Sequence, residues 1–458
     1  MGCLLQVVSS RWSVDVQVTS NPFSCHYLLV TCHCLSILGT LAEGPERSRR
    51  GTSLQEFTMP GFEIIGEEEK KEILEVLTNK IVFRYGFDAE RKGVYKVAAF
   101  EKEFAGYCGV DHALAVSSGT AALRVALAAL GISPGDEVIT QGFTFVATWE
   151  TIFDAGAIPV FAELDETLCL DPADVAKKIT SKTKAIIPVH MCGAQARITE
   201  IVKLADQHKI PVIEDTAQSC GGRLHGKALG TFGKMGCFSF DSVKTMTAGE
   251  GGMVITHDRD LYTKVAEYHD HGHDHNPKVT RGLEKRSFIG MNYRMSELQG
   301  AVGLAQFRKL ESIILPAQRK NKAKIKQALS KIDQIAFRDI PDPEGDTATF
   351  ITFFLPTAQK ARAFNKAMAE GGAGAIYWYE NYWHYYEQWE HLLEGKSLMR
   401  TGYPFRTESG QVRRRYAKDA LPKTAEILSR TLSIAINIHM DQQIPKIISA
   451  IEKAAKAI

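Results

Sequence analysis

Between residues 113 and 215, short unbroken apolar runs alternate with longer stretches of helical character, and no other feature of the chain restricts its fold as much. Ala113-Leu114-Ala115-Val116, Glu137-Val138-Ile139-Thr140, Ile158-Pro159-Val160-Phe161, Ala185-Ile186-Ile187-Pro188-Val189 and Pro211-Val212-Ile213-Glu214-Asp215 read as strands. Helices are predicted between them, over 121–130, 144–153, 172–179 and 198–208. A strand that is apolar along its whole length must be covered on both faces, and strands linked by helical crossovers run parallel. The expected fold is therefore α/β, with a mainly parallel central sheet. In such sheets ligands gather outside the carboxyl ends of the strands, where Ser117-Ser118-Gly119-Thr120, Asp215 and the segment after Phe238 all fall. Beyond Leu310 a basic helix leads into a second α+β segment, with strands near 350–355 and 373–378 and helices near 358–369 and 444–457. The expected division is a large domain over 59–315 and a smaller C-terminal domain over 316–458.

At 458 residues the chain is long enough to bury a large core without a disulfide or metal staple. Lys plus Arg number 55 against 53 Asp plus Glu, which leaves no excess charge to hold a nucleic acid. Single cysteines scattered through the body suit a reducing cytoplasm, and Cys32-His33-Cys34 lacks the second pair a zinc site needs. The first 58 residues differ in character, Cys-rich and apolar from His26 to Ala42 and then basic at Arg47-Ser48-Arg49-Arg50. Neither a secretory signal nor a membrane span fits that order well. Residues 1–58 are expected to be a non-native or poorly ordered leader, with translation starting at Met59; a targeting peptide is the alternative.

The densest chemical signal lies in Ser239-Phe240-Asp241-Ser242-Val243-Lys244, followed by Gly249-Glu250-Gly251-Gly252. A lysine between a strand and a glycine-rich turn is ordinarily a surface residue. Here Ser239 resembles the phosphate-binding serine of fold-type I pyridoxal 5′-phosphate (PLP) enzymes, and the glycines let backbone pass close to a cofactor. Lys244 is accordingly the candidate Schiff-base lysine, its amine forming an imine with the cofactor aldehyde and shuttling a proton. Asp215, at a strand end, is the candidate partner of the ring nitrogen, whose proton a fixed carboxylate favours; a helix N-cap is the plainer reading of such an aspartate. Gln218 is placed to meet the ring hydroxyl. Gly119 and Thr120 open a helix after a strand, where free N–H groups receive a phosphate, and Phe145 is a candidate to stack on the ring.

In order and spacing, Ser118-Gly119-Thr120-Ala121-Ala122-Leu123, Thr144-Phe145-Val146-Ala147-Thr148, Glu214-Asp215-Thr216-Ala217-Gln218, the Ser239 to Lys244 segment with its glycine-rich sequel, and Gly290-Met291-Asn292-Tyr293-Arg294-Met295-Ser296-Glu297-Leu298-Gln299 resemble the DegT/DnrJ/EryC1/StrS aminotransferases. The likeness covers essentially everything after Met59. It implies a fold-type I PLP enzyme, glutamate as amino donor, and a nucleotide-linked or acidic sugar carbonyl as acceptor. It also implies a homodimer with a shared active site, in which Asn292 reaches the partner's cofactor phosphate. One subgroup of the family carries histidine in place of the lysine and dehydrates its sugar; Lys244 argues against that chemistry. A catalytically silent regulatory member is the more distant alternative. Gln141-Gly142 stands where many members have Pro-Ser.

Two further segments bear on the acceptor. Tyr268-His269-Asp270-His271-Gly272-His273-Asp274-His275 alternates metal-binding residue types, yet relatives carry a related His-Gly loop without metal, so no metal site is expected; His271 and His273 are candidates for an anionic substrate. The aromatic run from Ile376 to Tyr386, including Tyr377 and Trp378, either lines a sugar site or packs in a core or dimer interface. With Phe83-Arg84-Tyr85-Gly86, these segments are similar to members of the family that aminate the C8 aldehyde of an oxidised 3-deoxy-manno-octulosonate (Kdo) for lipopolysaccharide. Such an acceptor needs a carboxylate-binding group, for which Arg84, Arg286 and the loop histidines are the candidates.

Overall fold

Around the candidate residues the computed structural model arranges seven strands, β1 (His112–Val116), β2 (Glu137–Gln141), β3 (Ile158–Ala162), β4 (Thr183–Ile187), β5 (Ile213–Asp215), β8 (Met235–Ser239) and β9 (Gly252–Thr256), with β6 (Arg223–Leu224) and β7 (Lys227–Ala228) forming a small hairpin apart. The structure describes residues 60–407 and 409–458, which belong to one compact unit. The expectations for the leader 1–58, the start at Met59 and Cys32-His33-Cys34 lie outside the described residues. Parallel pairing orders β3, β2 and β4, and further parallel bridges, Ile186 to Val212 and Val189 to Asp215, join them to β5. The sheet then continues through β8, β9 and β1. β9 departs from the parallel pattern: it is antiparallel to both β8 and β1, because the connection from Phe240 to Gly251 carries no helix and turns straight back. That returning connection holds Lys244.

The helix Gly119–Ala129 shows why the strand ends become a site. Ala121, Ala122, Leu123, Val125, Ala126, Leu127 and Ala129 are buried on it, so it lies inside the molecule and not along its surface. Its start is held by Ser118, whose Oγ accepts from the N–H of Ala121 at 3.0 Å. Two residues separate the helix from the end of β1, and its first turn lines the same cavity as Asp215 at the end of β5 and Ser239 at the end of β8.

Past the helix Leu315–Leu329, a second sheet runs β10 (Ala336–Phe337), β11 (Phe350–Phe354), β13 (Thr431–Ala435) and β12 (Ile376–Tyr377), antiparallel throughout. The helices Ala358–Glu370 and Ile444–Ala455 pack on it. β12 is shorter than the strand expected near 373–378, since the chain turns into a helical turn at Trp378. Among the described residues no helix is long and apolar enough to cross a membrane, and Cys108, Cys169, Cys192, Cys220 and Cys237 are free and buried.

Candidate active site

Asp215 and Lys244 line one cavity at the carboxyl ends of the strands, together with Gly119, Thr120, Phe145, Gln218 and Ser239. Asp215 closes β5. Its Oδ1 accepts from the N–H of Ala217 at 3.1 Å and its Oδ2 from Thr148 Oγ1 at 2.8 Å. Since the single hydroxyl proton of Thr148 goes to Asp215, the 2.7 Å contact between Thr148 and Thr144 must be a donation from Thr144. The carboxylate is thus fixed in orientation with part of its capacity turned to the cavity. Burial raises its pKa, opposed by the bonds from Ala217 and Thr148 and by the charge of Lys244. Lys244 is buried in its turn, and burial pushes its amine below the usual lysine range against the pull of Asp241 and Asp215. Its ammonium nitrogen sits 5.8 Å from the centre of the Phe145 ring.

Behind Asp215, Glu214 is wholly buried and anchors the strand end. Its Oε1 accepts from the N–H groups of Phe232 and Gly233, and its Oε2 from Gly230 N–H. His190 Nδ1 accepts from Ala196 N–H at 3.1 Å, so its proton resides on Nε2 and is donated to Glu214 at 3.0 Å.

These groups fit pyridoxal 5′-phosphate part by part. The buried Nε2 of Gln218 has no protein partner while its Oε1 accepts from Cys192 N–H at 3.0 Å; a buried donor without an acceptor calls for a ligand oxygen. The N–H groups of Gly119 and Thr120 precede the first intrahelical bond and meet the Ser239 hydroxyl at the same end of the cavity. A Cβ on Gly119 would lie 2.6 Å from the Ser239 Cβ, so only glycine lets the helix start come this close to β8. Asp215 supplies the carboxylate that a pyridinium nitrogen requires, and Lys244 the amine.

Phe145 is half-buried and lies flat against Trp383, with ring centres 5.9 Å apart and planes within 4°. The aromatic run reaches the cavity here through residues that the sequence did not single out. The backbone oxygen of His384 accepts from Thr144 N–H at 2.9 Å, and Gly142 accepts from Tyr386 N–H. His384 lines the cavity, and burial together with the charge of Lys244 pushes its pKa down to about 3. Tyr377 and Trp378, the pair named from the sequence, lie elsewhere. Tyr377 donates to the Ser429 carbonyl at 2.8 Å, and Trp378 is fully buried with its indole N–H on Ser433 Oγ at 2.7 Å. They join the second sheet to the first, the packing alternative for this run. Gln141, at the position where relatives often have proline, is also fully used. Its Nε2 donates to the Phe143 carbonyl, and its Oε1 accepts from Leu170 and Val189 N–H.

The other substrate candidates do not line this cavity in the single chain. Arg84 is buried with Nη1 on the Ala115 carbonyl at 2.7 Å and Nη2 on Glu101 at 2.5 Å, so its fork is engaged inside the fold. His273 pairs with Glu284 and bridges in backbone to Arg286. Arg286 is exposed and donates to the Glu284 carbonyl, and His271 is exposed in a left-handed conformation, φ 56°. Asn292 is exposed too, its Oδ1 accepting from Arg294 N–H at 3.3 Å, on a strand-like stretch bridged to Asp270. Asp270 holds both Arg281 and Arg294. Thr148 and His384 are the site residues that reading the sequence missed. Thr148 had a usable signal, a second threonine four residues after Thr144 in the stretch predicted as a helix from 144; the observed helix starts at Ala147. His384 had none beyond its aromatic neighbours.

The model of the DegT/DnrJ/EryC1/StrS aminotransferase family matches residues 63–452. Over 224 residues the chain is 41% identical to the GDP-perosamine synthase of Caulobacter vibrioides, covering 49% of this chain and 59% of that enzyme. It is 38% identical over 285 residues to the UDP-N-acetyl-3-dehydro-alpha-D-glucosamine 3-aminotransferase of Acidithiobacillus ferrooxidans, covering 61% of this chain and 73% of that one. The matched part thus spans about 59% of the length of the perosamine synthase. Among solved structures, 3-amino-5-hydroxybenzoic acid synthase superposes with a TM-score of 0.70 at 27% identity, over 87% of this chain and 98% of that one. The chain belongs to the DegT/DnrJ/EryC1/StrS aminotransferase family.

Proposed function

We propose that this chain is a PLP-dependent sugar aminotransferase that takes nitrogen from glutamate and delivers it to a sugar carbonyl. The observation that carries the reading is the single cavity in which a buried lysine amine, a buried aspartate and a glutamine whose amide nitrogen has no protein partner converge. The bound cofactor supplies an electron sink and a carrier for the amino group. Lys244 holds it and moves the proton at the reacting carbon. Asp215, oriented by Thr148 and Ala217, keeps a proton on the ring nitrogen. Gln218 meets the ring hydroxyl; Gly119, Thr120 and Ser239 hold the phosphate; Phe145 covers one ring face. Asn292 completes the phosphate site of a second copy, which makes a homodimer the working unit. Residues 59–315 form the large domain of that unit and 316–458 the small one, and the enzyme works in the cytoplasm.

The acceptor has two readings. The octulosonate segments of the sequence favour the C8 aldehyde of oxidised Kdo, while the named activities of the relatives favour a nucleotide-linked ketosugar. Purified enzyme given glutamate and each acceptor in turn separates them by the amino sugar formed, read by mass spectrometry. Amination of only nucleotide-linked sugars removes the octulosonate reading. Glutamate that leaves the cofactor's absorption unchanged removes the aminotransferase reading and turns attention to dehydration.

A further inference from the structure

We propose that Arg338 and Thr347, from the C-terminal part of the chain, are positioning residues for the cofactor ring: they hold the turn Met191–Gly193, and that turn alone orients the Gln218 amide. The inference rests on the reading of Gln218 as the ring-hydroxyl contact. Its starting point is that a glutamine side chain has two interchangeable ends, and here one neighbour decides between them. Cys192 N–H lies 3.0 Å from the oxygen end, so the nitrogen end is left for the cavity. Turned over, the amide would set two donors against each other and offer the ligand an acceptor in place of a donor.

The Cys192 N–H shares its rigid peptide plane with the Met191 carbonyl, and Cys192 itself is left-handed, φ 53° and ψ 38°, a conformation unfavourable for a residue with a side chain. Something outside the turn has to keep it there. Arg338 is buried and spreads its guanidinium over this segment: Nη1 donates to the Met191 carbonyl at 2.7 Å, Nε to the Thr167 carbonyl at 2.6 Å, and Nη2 meets Cys169 Sγ at 3.4 Å. On the other side, both the N–H and the hydroxyl of Thr347 donate to the Gly193 carbonyl at 3.0 Å. A Cβ on Gly193, itself at φ 82°, would come within 2.5 Å of the hydroxyls of Thr347 and Thr349. The carbonyls of Met191 and Gly193, the residues on either side of Cys192, are thus each pinned, by residues that do not line the cavity.

The test compares wild type, Gln218→Leu, Arg338→Met, the gentler Thr347→Val, and Gln218→Leu combined with Thr347→Val. Two quantities are read: the dissociation constant for pyridoxal phosphate on cofactor-free protein, and the pH midpoint of the visible absorption band of the holoenzyme. Gln218→Leu and Arg338→Met should each weaken cofactor binding by about tenfold, the worth of one well-placed hydrogen bond, and shift the midpoint in the same direction. Thr347→Val should give a smaller change of the same kind and add nothing in the Gln218→Leu background. Equal effects of Thr347→Val in both backgrounds, or no midpoint shift in it while Gln218→Leu has one, overturns the proposal. No effect of Gln218→Leu on either quantity overturns instead the contact between Gln218 and the cofactor.

Discussion

Lys244 and Asp215 are displaced from their ordinary titration in opposite directions by one cause, burial. A buried lysine gives up its proton more readily, so free amine is present at lower pH than in an exposed one. The rate at which pyridoxal phosphate attaches to cofactor-free protein should therefore rise with pH and reach its midpoint below about 10.4, the ordinary lysine value. Stopped-flow absorbance checks this, and a midpoint at the ordinary value would contradict it. For Asp215 the folded chain binds the proton more tightly than the unfolded one. Its contribution to the stability of cofactor-free protein is then greatest at low pH and declines as pH rises from about 3.9 through the raised folded pKa. Asp215→Asn removes that slope, so the gap between the denaturation midpoints of wild type and variant should change with pH in this window and level off above it. With cofactor bound, the same substitution should lower kcat by about a hundredfold or more, since on the proposed reading it removes the charge that faces the ring nitrogen.

At the scale of elements, the site depends on how near the helix Gly119–Ala129 comes to β8. Gly119→Ala places a methyl 2.6 Å from the Ser239 Cβ, with the Ser239 Cα also at 3.2 Å. Backbone must move, at a cost of about 1–3 kcal/mol. Calorimetric titration with pyridoxal phosphate should show that cost as weaker binding, and inorganic phosphate should weaken alongside it if, as proposed, both are held at this helix start. Ser118→Ala acts on the same helix differently. It removes a cap and leaves the approach distance alone, so thermal unfolding should report a loss of about 1 kcal/mol with a smaller change in cofactor affinity. Strands β1 to β5 and the helices between them were legible because apolar runs and crossovers repeat a single pattern. β9 and β13 were not. β9 opens on Gly252 at the end of a glycine-rich turn, where strand propensity is low, and the Thr431–Ala435 stretch becomes a strand through partners far away in sequence, Phe350–Phe354 and Ile376–Tyr377.

For the molecule as a whole, the proposed homodimer makes a measurable claim: a Lys244→Ala protomer and an Asn292→Ala protomer carry complementary lesions. When the two inactive variants are mixed and allowed to exchange subunits, about one quarter of the sites should regain both residues, as random pairing of two protomers requires; activity that stays at zero despite exchange would place Asn292 outside its partner's site. By itself the sequence determined the layered α/β architecture and the lysine, aspartate and glutamine of the cavity, because spacing along strand ends is a local property that survives into three dimensions. Only the tertiary structure decided which parts of the aromatic run touch the cavity, that Arg84 is engaged by Glu101, and that Thr148, His384 and the turn at Cys192 surround the chemistry. Those contacts join residues apart in the chain, and their geometry is set by how helices, strands and connections pack in three dimensions, which no local pattern of residues encodes.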